Sequence, residues 1–241
     1  MTTRTETLDT SSGPMGIHVE RPDGDGPFPV VVFFHHGPGL DGGSKKTMAR
    51  IAKWGYYVIT HDRYHRGEPW FAAKDRSDDE MKKMFGLIMS TPEEQVAQDL
   101  DAVLAWLPSD PAARGGAMAC IGYCIGARSS LCTIRDRGDV FRAGAGLHPS
   151  FCTTDQPDSP HLGVPSYTGS LYIGFGTADT MQPASANMAL IDATNALAKG
   201  EADIHEGANH GFGVYGGAYH EAAADASYAR IQVMFDRELK S

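Results

Sequence analysis

The chain has 241 residues, of which 41% are apolar and 21% charged, enough for one α/β domain with a large core and unlike a disordered protein. A net charge of -9 argues against nucleic acid or an anionic membrane as partner, since both demand clustered positive charge. Residues 1–12 lack the apolar core of a signal peptide and no run approaches the about 18 apolar residues of a membrane span, so a cytoplasmic protein is expected.

Residues 5–20 hold two short candidate strands around Thr10-Ser11-Ser12-Gly13, a hairpin suited to a sheet edge. After the break at Asp23-Gly24-Asp25-Gly26-Pro27, the run Pro29-Val30-Val31-Val32-Phe33-Phe34 reads as a central strand covered on both faces. It ends in His35-His36-Gly37-Pro38-Gly39. A helix over about residues 45–54 leads to the strand Tyr56-Tyr57-Val58-Ile59-Thr60 and to the polar loop His61-Asp62-Arg63-Tyr64-His65-Arg66-Gly67. Open α/β sheets bind ligands at this end of their strands, which makes Tyr64, His65 and Arg66 candidate pocket residues, although a solvated loop reads the same way. Two helices follow over residues 78–89 and 91–107, the second with Thr91 as N-cap, Pro92 at the first helical position and Glu93 and Glu94 in the first turn.

The apolar strand Ala119-Cys120-Ile121-Gly122-Tyr123 then turns through Cys124 into the helical run Ile125-Gly126-Ala127-Arg128. Downstream come the strand Phe141–His148 with Pro149-Ser150-Phe151 at its end, a mobile loop over residues 152–170, and the strand Leu171–Gly176 running into the turn that carries Asp179. A helix over residues 185–197, a short strand around Ala202–Ile204, the glycine-rich loop from His205 to Gly213 and a closing helix over residues 219–239 complete the pattern. Strands alternate with helices, so residues 1–241 read as a single α/β domain with a mostly parallel central sheet and helices on both faces. Cys120 and Cys132 are expected in the core; the four cysteines suggest neither a disulfide framework nor structural zinc.

Gly122-x-Cys124-x-Gly126 is the pattern of a nucleophile standing on a sharp strand-to-helix turn, where a Cβ two residues away on either side would strike backbone. A helix N-terminus also favours thiolate over thiol. Taken alone, the same pattern fits a buried core cysteine, Asp179 fits a turn residue and His210 a surface residue. The order nucleophile, acid, histidine, each at a strand end, is that of an α/β-hydrolase triad and singles out Cys124, Asp179 and His210. The oxyanion hole is then expected to take its N–H groups from Ile125, after the nucleophile, and from the loop after the early strand, where Gly37 is the candidate because Pro38 has no N–H, although a plain glycine and proline turn reads the same way.

Gly122-Tyr123-Cys124-Ile125-Gly126, the Gly176-x-x-Asp179 turn with Pro183 and Ser185 beyond it, and Ala208-Asn209-His210-Gly211-Phe212 together resemble the dienelactone hydrolase family. His61-Asp62-Arg63-Tyr64 is similar to that family's Pro-Asp-Leu-Tyr segment, and the resemblance covers about residues 10–240. It implies an α/β-hydrolase fold and a Cys-His-Asp triad, made of Cys124, His210 and Asp179, acting on small-molecule esters or lactones. Such chemistry needs no cofactor, and a monomer or homodimer is expected. Two departures concern the substrate. The family has a glutamate that holds the resting thiol where this chain has His36, which instead could stabilise the thiolate; and the family's arginine shortly after the triad histidine has Val214 as its nearest counterpart. Lys82, Lys83, Arg66 and Arg128 are the other cations that could receive a substrate carboxylate; without one, neutral esters or lactones are the expected substrates.

Two other readings stand beside this one. His35, His36, His61 and His65 could serve a metal-dependent hydrolase or metal-binding protein, although no ligand spacing such as His-Glu-x-x-His is present and adjacent strand residues point to opposite faces. A non-catalytic binding protein on the same fold is the other.

Overall fold

Two nine-residue strands, β1 (Thr2–Thr10) and β2 (Gly13–Arg21), pair antiparallel from Thr2 opposite Arg21 to Thr10 opposite Gly13. The hairpin expected at a sheet edge is therefore present and longer than predicted. Its threonine-rich strand suits the pleat, and cross-strand bonds such as Thr3 to Glu20 at 2.7 Å extend the pairing. Gly13 supplies the positive φ of the turn.

The computed structural model describes residues 1–240, and the chain divides into two compact units, Met1–Gly115 and a second beginning at Gly116. In the first, the strand order is β1, β2, β4, β3, with β3 (Phe28–Phe34) parallel to β4 (Tyr57–His61) and β2 antiparallel to β4. Both β3 and β4 are buried almost throughout, as their apolar runs require. Helix α1 (Gly42–Ala52) starts three residues before its expected position because the Asp41 side chain accepts from Ser44 N at 2.7 Å and caps it there. Helix α2 (Asp78–Met89) matches its predicted span.

Helix α3 (Glu93–Trp106) corrects the expected N-cap. Pro92 holds the cap position with extended backbone and no side-chain bond, while Thr91 Oγ1 donates 2.9 Å back to Leu87 O. With only two residues between α2 and Pro92, the unsatisfied carbonyls at the end of α2 claim the Thr91 hydroxyl first.

In the second unit four parallel strands run in sequence order: β5 (Ala113–Tyr123), β6 (Phe141–Leu147), β7 (Ser170–Gly176) and β8 (Gly200–His205). Helix α4 (Ile125–Asp136) follows β5, α5 (Met188–Asn195) follows β7, and α6 (Glu221–Leu239) closes the chain. The glycines show which face each helix covers. A Cβ on Gly144 or Gly146 of β6 would press on Ile134 or Ala127 of α4, whereas one on Gly174 of β7 would meet Leu147, Phe212 and Ser227 of α6. Gly146 and Leu147 alternate along β6, so α4 and α6 lie on opposite faces.

The segment read as a mobile loop is held more firmly than expected. It carries a 3₁₀ turn at Pro160–Ser166 and buries Cys152, Ser159, Pro160 and Val164. The expected helix after β7 likewise starts as a 3₁₀ turn at Ala184–Asn187. Cys120 and Cys132 are buried as predicted, and burial pushes the Cys120 thiol up to about 12, with a hydrogen bond to Ser130 acting weakly against it.

Candidate active site

At the end of β5 the backbone reverses sharply on Cys124, with φ 54° and ψ -119°, and α4 begins at the next residue. The turn works only because Gly122 has no side chain: a Cβ there would lie 1.9 Å from Gly126 O. Three backbone bonds fix the Cys124 peptide: its N–H donates to Leu147 O at 3.2 Å, and its carbonyl accepts from Ala127 N at 3.1 Å and Ser150 N at 3.0 Å. The thiol is partly exposed at a helix N-terminus, the setting that favours thiolate.

Asp179 and His210 are brought together by backbone packing. Gly176 at the end of β7 lets the two loops touch, since a Cβ there would fall 2.1 Å from Ala208 O, and Ala178 N donates to that carbonyl at 3.0 Å. Asp179 Oδ1 accepts from the backbone of Met181 at 3.0 Å and of Gln182 at 2.9 Å, and Oδ2 accepts from His210 Nδ1 at 2.7 Å. The carboxylate is therefore an acceptor for three donors. Burial opposes its charge, but the bonds from His210, Gln182 and Met181 prevail and hold the carboxyl below its ordinary value.

The His210 ring is mostly buried, and burial works against its protonation. The hydrogen bond to Asp179 and the interaction with the Cys124 thiol outweigh that cost and push its value up to about 10. Nε2 is buried without a hydrogen-bond partner of regular geometry. The ring thus has one nitrogen committed to the acid and its other side available to the thiol.

Two residues that the sequence reading passed over complete this site. His148, fully buried at the end of β6, packs edge-on against His210 at 4.9 Å and against Phe212 at 5.6 Å. Ser150 Oγ lies 3.3 Å from Cys124 Sγ. The rule that ligands meet α/β sheets at the C-terminal ends of strands was the signal that could have found them.

Arg128 donates to Phe151 O and lies 3.8 Å from Asp158, so its guanidinium already has protein partners. Val214 is buried, as is Phe212, whose ring touches His148 and His205.

The remaining candidates belong to the first unit. Tyr64 is buried and its hydroxyl donates to Gly37 O at 3.0 Å, tying together the loops after β3 and β4. Arg66 forms two bonds to the buried Asp99 at 2.7 and 2.8 Å. His36 Nε2 lies 3.3 Å from Asp41; burial raises the aspartate, but His36 and the Ser44 bonds prevail and set it at about 2. The four histidines of the metal reading do not converge. His35 Nδ1 donates to His36 O and burial pulls its ring down to about 3, His65 lies between Pro14 O and Asp99, and His61 packs edge-on to Phe34. Among the described residues no group of three or more His, Cys, Asp or Glu side chains is gathered to hold a metal ion. No described helix is long and apolar enough to cross a membrane.

The chain is similar to known proteins over most of its length. A candidate carboxymethylenebutenolidase from Synechocystis sp. is 27% identical over 231 residues, covering 92% of each chain, and one from Escherichia coli is 26% identical over 228 residues, covering 90% of this chain and 80% of the relative. Among solved structures, a candidate dienelactone hydrolase from Klebsiella pneumoniae superposes with a TM-score of 0.83 at 20% identity, over 98% of this chain and all of its own. A dienelactone hydrolase-like promiscuous phosphotriesterase from metagenomic libraries gives 0.73 at 19% identity, over 98% of this chain and 99% of its own. These likenesses extend the alternating pattern of both units to the α/β-hydrolase fold. The dienelactone hydrolase family model matches residues 15–239, and the chain belongs to that family.

Proposed function

We propose that this hydrolase cleaves esters or lactones of small molecules by nucleophilic attack of Cys124. The observation that carries the reading is the Asp179–His210 bond of 2.7 Å with the far side of the same imidazole acting on the Cys124 thiol. Family membership supports it, as do the relatives named for lactone hydrolysis.

The steps balance without an added reactant other than water. The Cys124 thiolate bonds to the carbonyl carbon and the π electrons move to oxygen, whose charge the Ile125 N–H, next in the chain, stabilises. The tetrahedral adduct collapses, the carbon–oxygen bond breaks, and His210 gives its Nε2 proton to the departing alkoxide. Neutral His210 then takes a proton from water, hydroxide attacks the thioester, and the acid leaves with thiolate and imidazolium restored. Asp179 keeps Nδ1 protonated and the ring oriented throughout.

The substrate we propose is neutral and in part apolar. Val214 stands where the resemblance places an arginine, Arg128 is occupied by Phe151 O, and the large apolar side chains exposed on these loops are Phe151, after Ser150, and Met181, two residues past Asp179. Turnover of p-nitrophenyl esters and small lactones by the wild type and by Cys124→Ala tests the reading. Hydrolysis lost in the variant supports it; hydrolysis retained refutes it.

A further inference from the structure

The Ser150 hydroxyl is a buried polar group aimed at the nucleophile. Ser150 is 3% exposed, and its Oγ lies 3.3 Å from Cys124 Sγ while its backbone N–H donates 3.0 Å to Cys124 O. One residue therefore grips both the main chain and the side chain of Cys124.

The loop that carries Ser150 is fixed by other groups. His148 N donates to Gly174 O at 2.8 Å, Phe151 O accepts from Arg128, Phe151 N donates to Gln182 Oε1 at 3.5 Å, and Ser150 O accepts from the Cys152 thiol at 3.4 Å. His148 and Phe151 on either side adopt positive φ, of 41° and 56°. A loop so bound does not need the Ser150 hydroxyl to keep its shape. A hydroxyl in a desolvated place costs stability unless it finds a partner, and here that partner is the sulfur.

We propose that Ser150 is a positioning residue that donates its hydroxyl proton in a hydrogen bond to the Cys124 thiolate, selecting one rotamer of the nucleophile and favouring its charged form. The inference rests on the reading of Cys124 as nucleophile. No proton changes owner: the bond is strongest to the thiolate and weakens when sulfur becomes a thioester, so it lowers the resting thiol's proton affinity and also its intrinsic nucleophilicity. The titratable and charged groups around Cys124 in this unit are His210 with Asp179 behind it, His148 against the His210 ring, and Arg128 one helical turn on, turned to Phe151 and Asp158.

The test is iodoacetamide labelling of Cys124, followed by mass spectrometry across pH, in the wild type and in Ser150→Ala. A hydrogen bond to a charged partner corresponds to a shift of about one pH unit, so the apparent pKa of labelling should rise by about that much while the rate at the alkaline plateau does not fall. Ester kcat/KM should drop by about tenfold below that pKa and recover above it. An unchanged labelling profile, or a loss of rate in equal proportion at every pH, would overturn the proposal, since a purely structural role predicts the latter. Ser150→Gly, which also lacks the hydroxyl, carries the same test if the alanine protein does not fold. Labelling needs no turnover, so a failure here is distinct from a failure of the nucleophile reading, which Cys124→Ala turnover decides.

Discussion

Asp179 Oδ2 and His210 Nδ1 lie 2.7 Å apart, and that bond, with the thiol on the far side of the ring, raises the imidazole from an ordinary 6.5 to about 10 despite its burial. Removing the thiol removes one of the two raising partners. In Cys124→Ala the His210 titration followed by NMR should move down from about 10. A value unchanged by the substitution would mean that the thiolate does not interact with the ring.

The same shifts give stability a pH dependence with definite sign. His210 is raised in the folded state, so its contribution is complete below pH 6.5 and is lost as pH rises through about 10. Asp179 is lowered, so its contribution is present above the ordinary carboxylate value of 3.8 and is lost as pH falls. Melting temperature against pH should fall on both sides of this window. In Cys124→Ala the alkaline fall should be smaller and end at lower pH; an alkaline limb identical to that of the wild type would count against the coupling.

Strain at the elbow makes a prediction of the opposite kind for function and stability. A non-glycine residue at φ 54° and ψ -119° stores about 1–3 kcal/mol, partly offset by the about 0.5–1 kcal/mol of chain entropy that glycine loses on folding. Cys124→Gly should therefore unfold at higher denaturant than Cys124→Ala, although both should be inactive. Gly122→Ala, which sets a Cβ against Gly126 O, should cost about 2 kcal/mol or more. Equal stability of Gly122→Ala and wild type would show that the turn does not depend on that contact.

Much of this site was legible in the chain because its requirements are local. Gly122 and Gly126 flank Cys124 for steric reasons, and Asp179 and His210 sit on loops at strand ends, so all three could be named in order as candidates. What escaped depended on contacts between segments distant in sequence. Thr91 looked like an N-cap but bonds the end of α2, and Arg66 looked like a pocket cation but is committed to Asp99. His148 and Ser150 carry no motif; β6 beside β5 brings Ser150 to the thiol and His148 to the His210 ring. The hairpin and the 3₁₀ turn at Pro160–Ser166 were under-read because alternating threonines and a proline-rich stretch look like loop until they find partners.

Substrate charge provides a further check. A carboxylate buried without a cation costs several kcal/mol, so competition between a carboxylate-bearing lactone and its neutral methyl ester should favour the neutral compound in kcat/KM by about tenfold or more. Preference for the anion would show that a cation serves it after all; its loss in Arg128→Ala would identify Arg128.

If Cys124 is the nucleophile, it becomes acylated during turnover. Mixing enzyme with a p-nitrophenyl ester, quenching in acid within the first turnover and measuring the intact mass and the modified peptide tests it directly. An acyl adduct is expected on the peptide containing Cys124, accumulating further in His210→Ala or Asp179→Asn if deacylation slows more than acylation, and absent in Cys124→Ala. Hydrolysis proceeding at the wild-type rate in Cys124→Ala, with no adduct on that peptide, would contradict it.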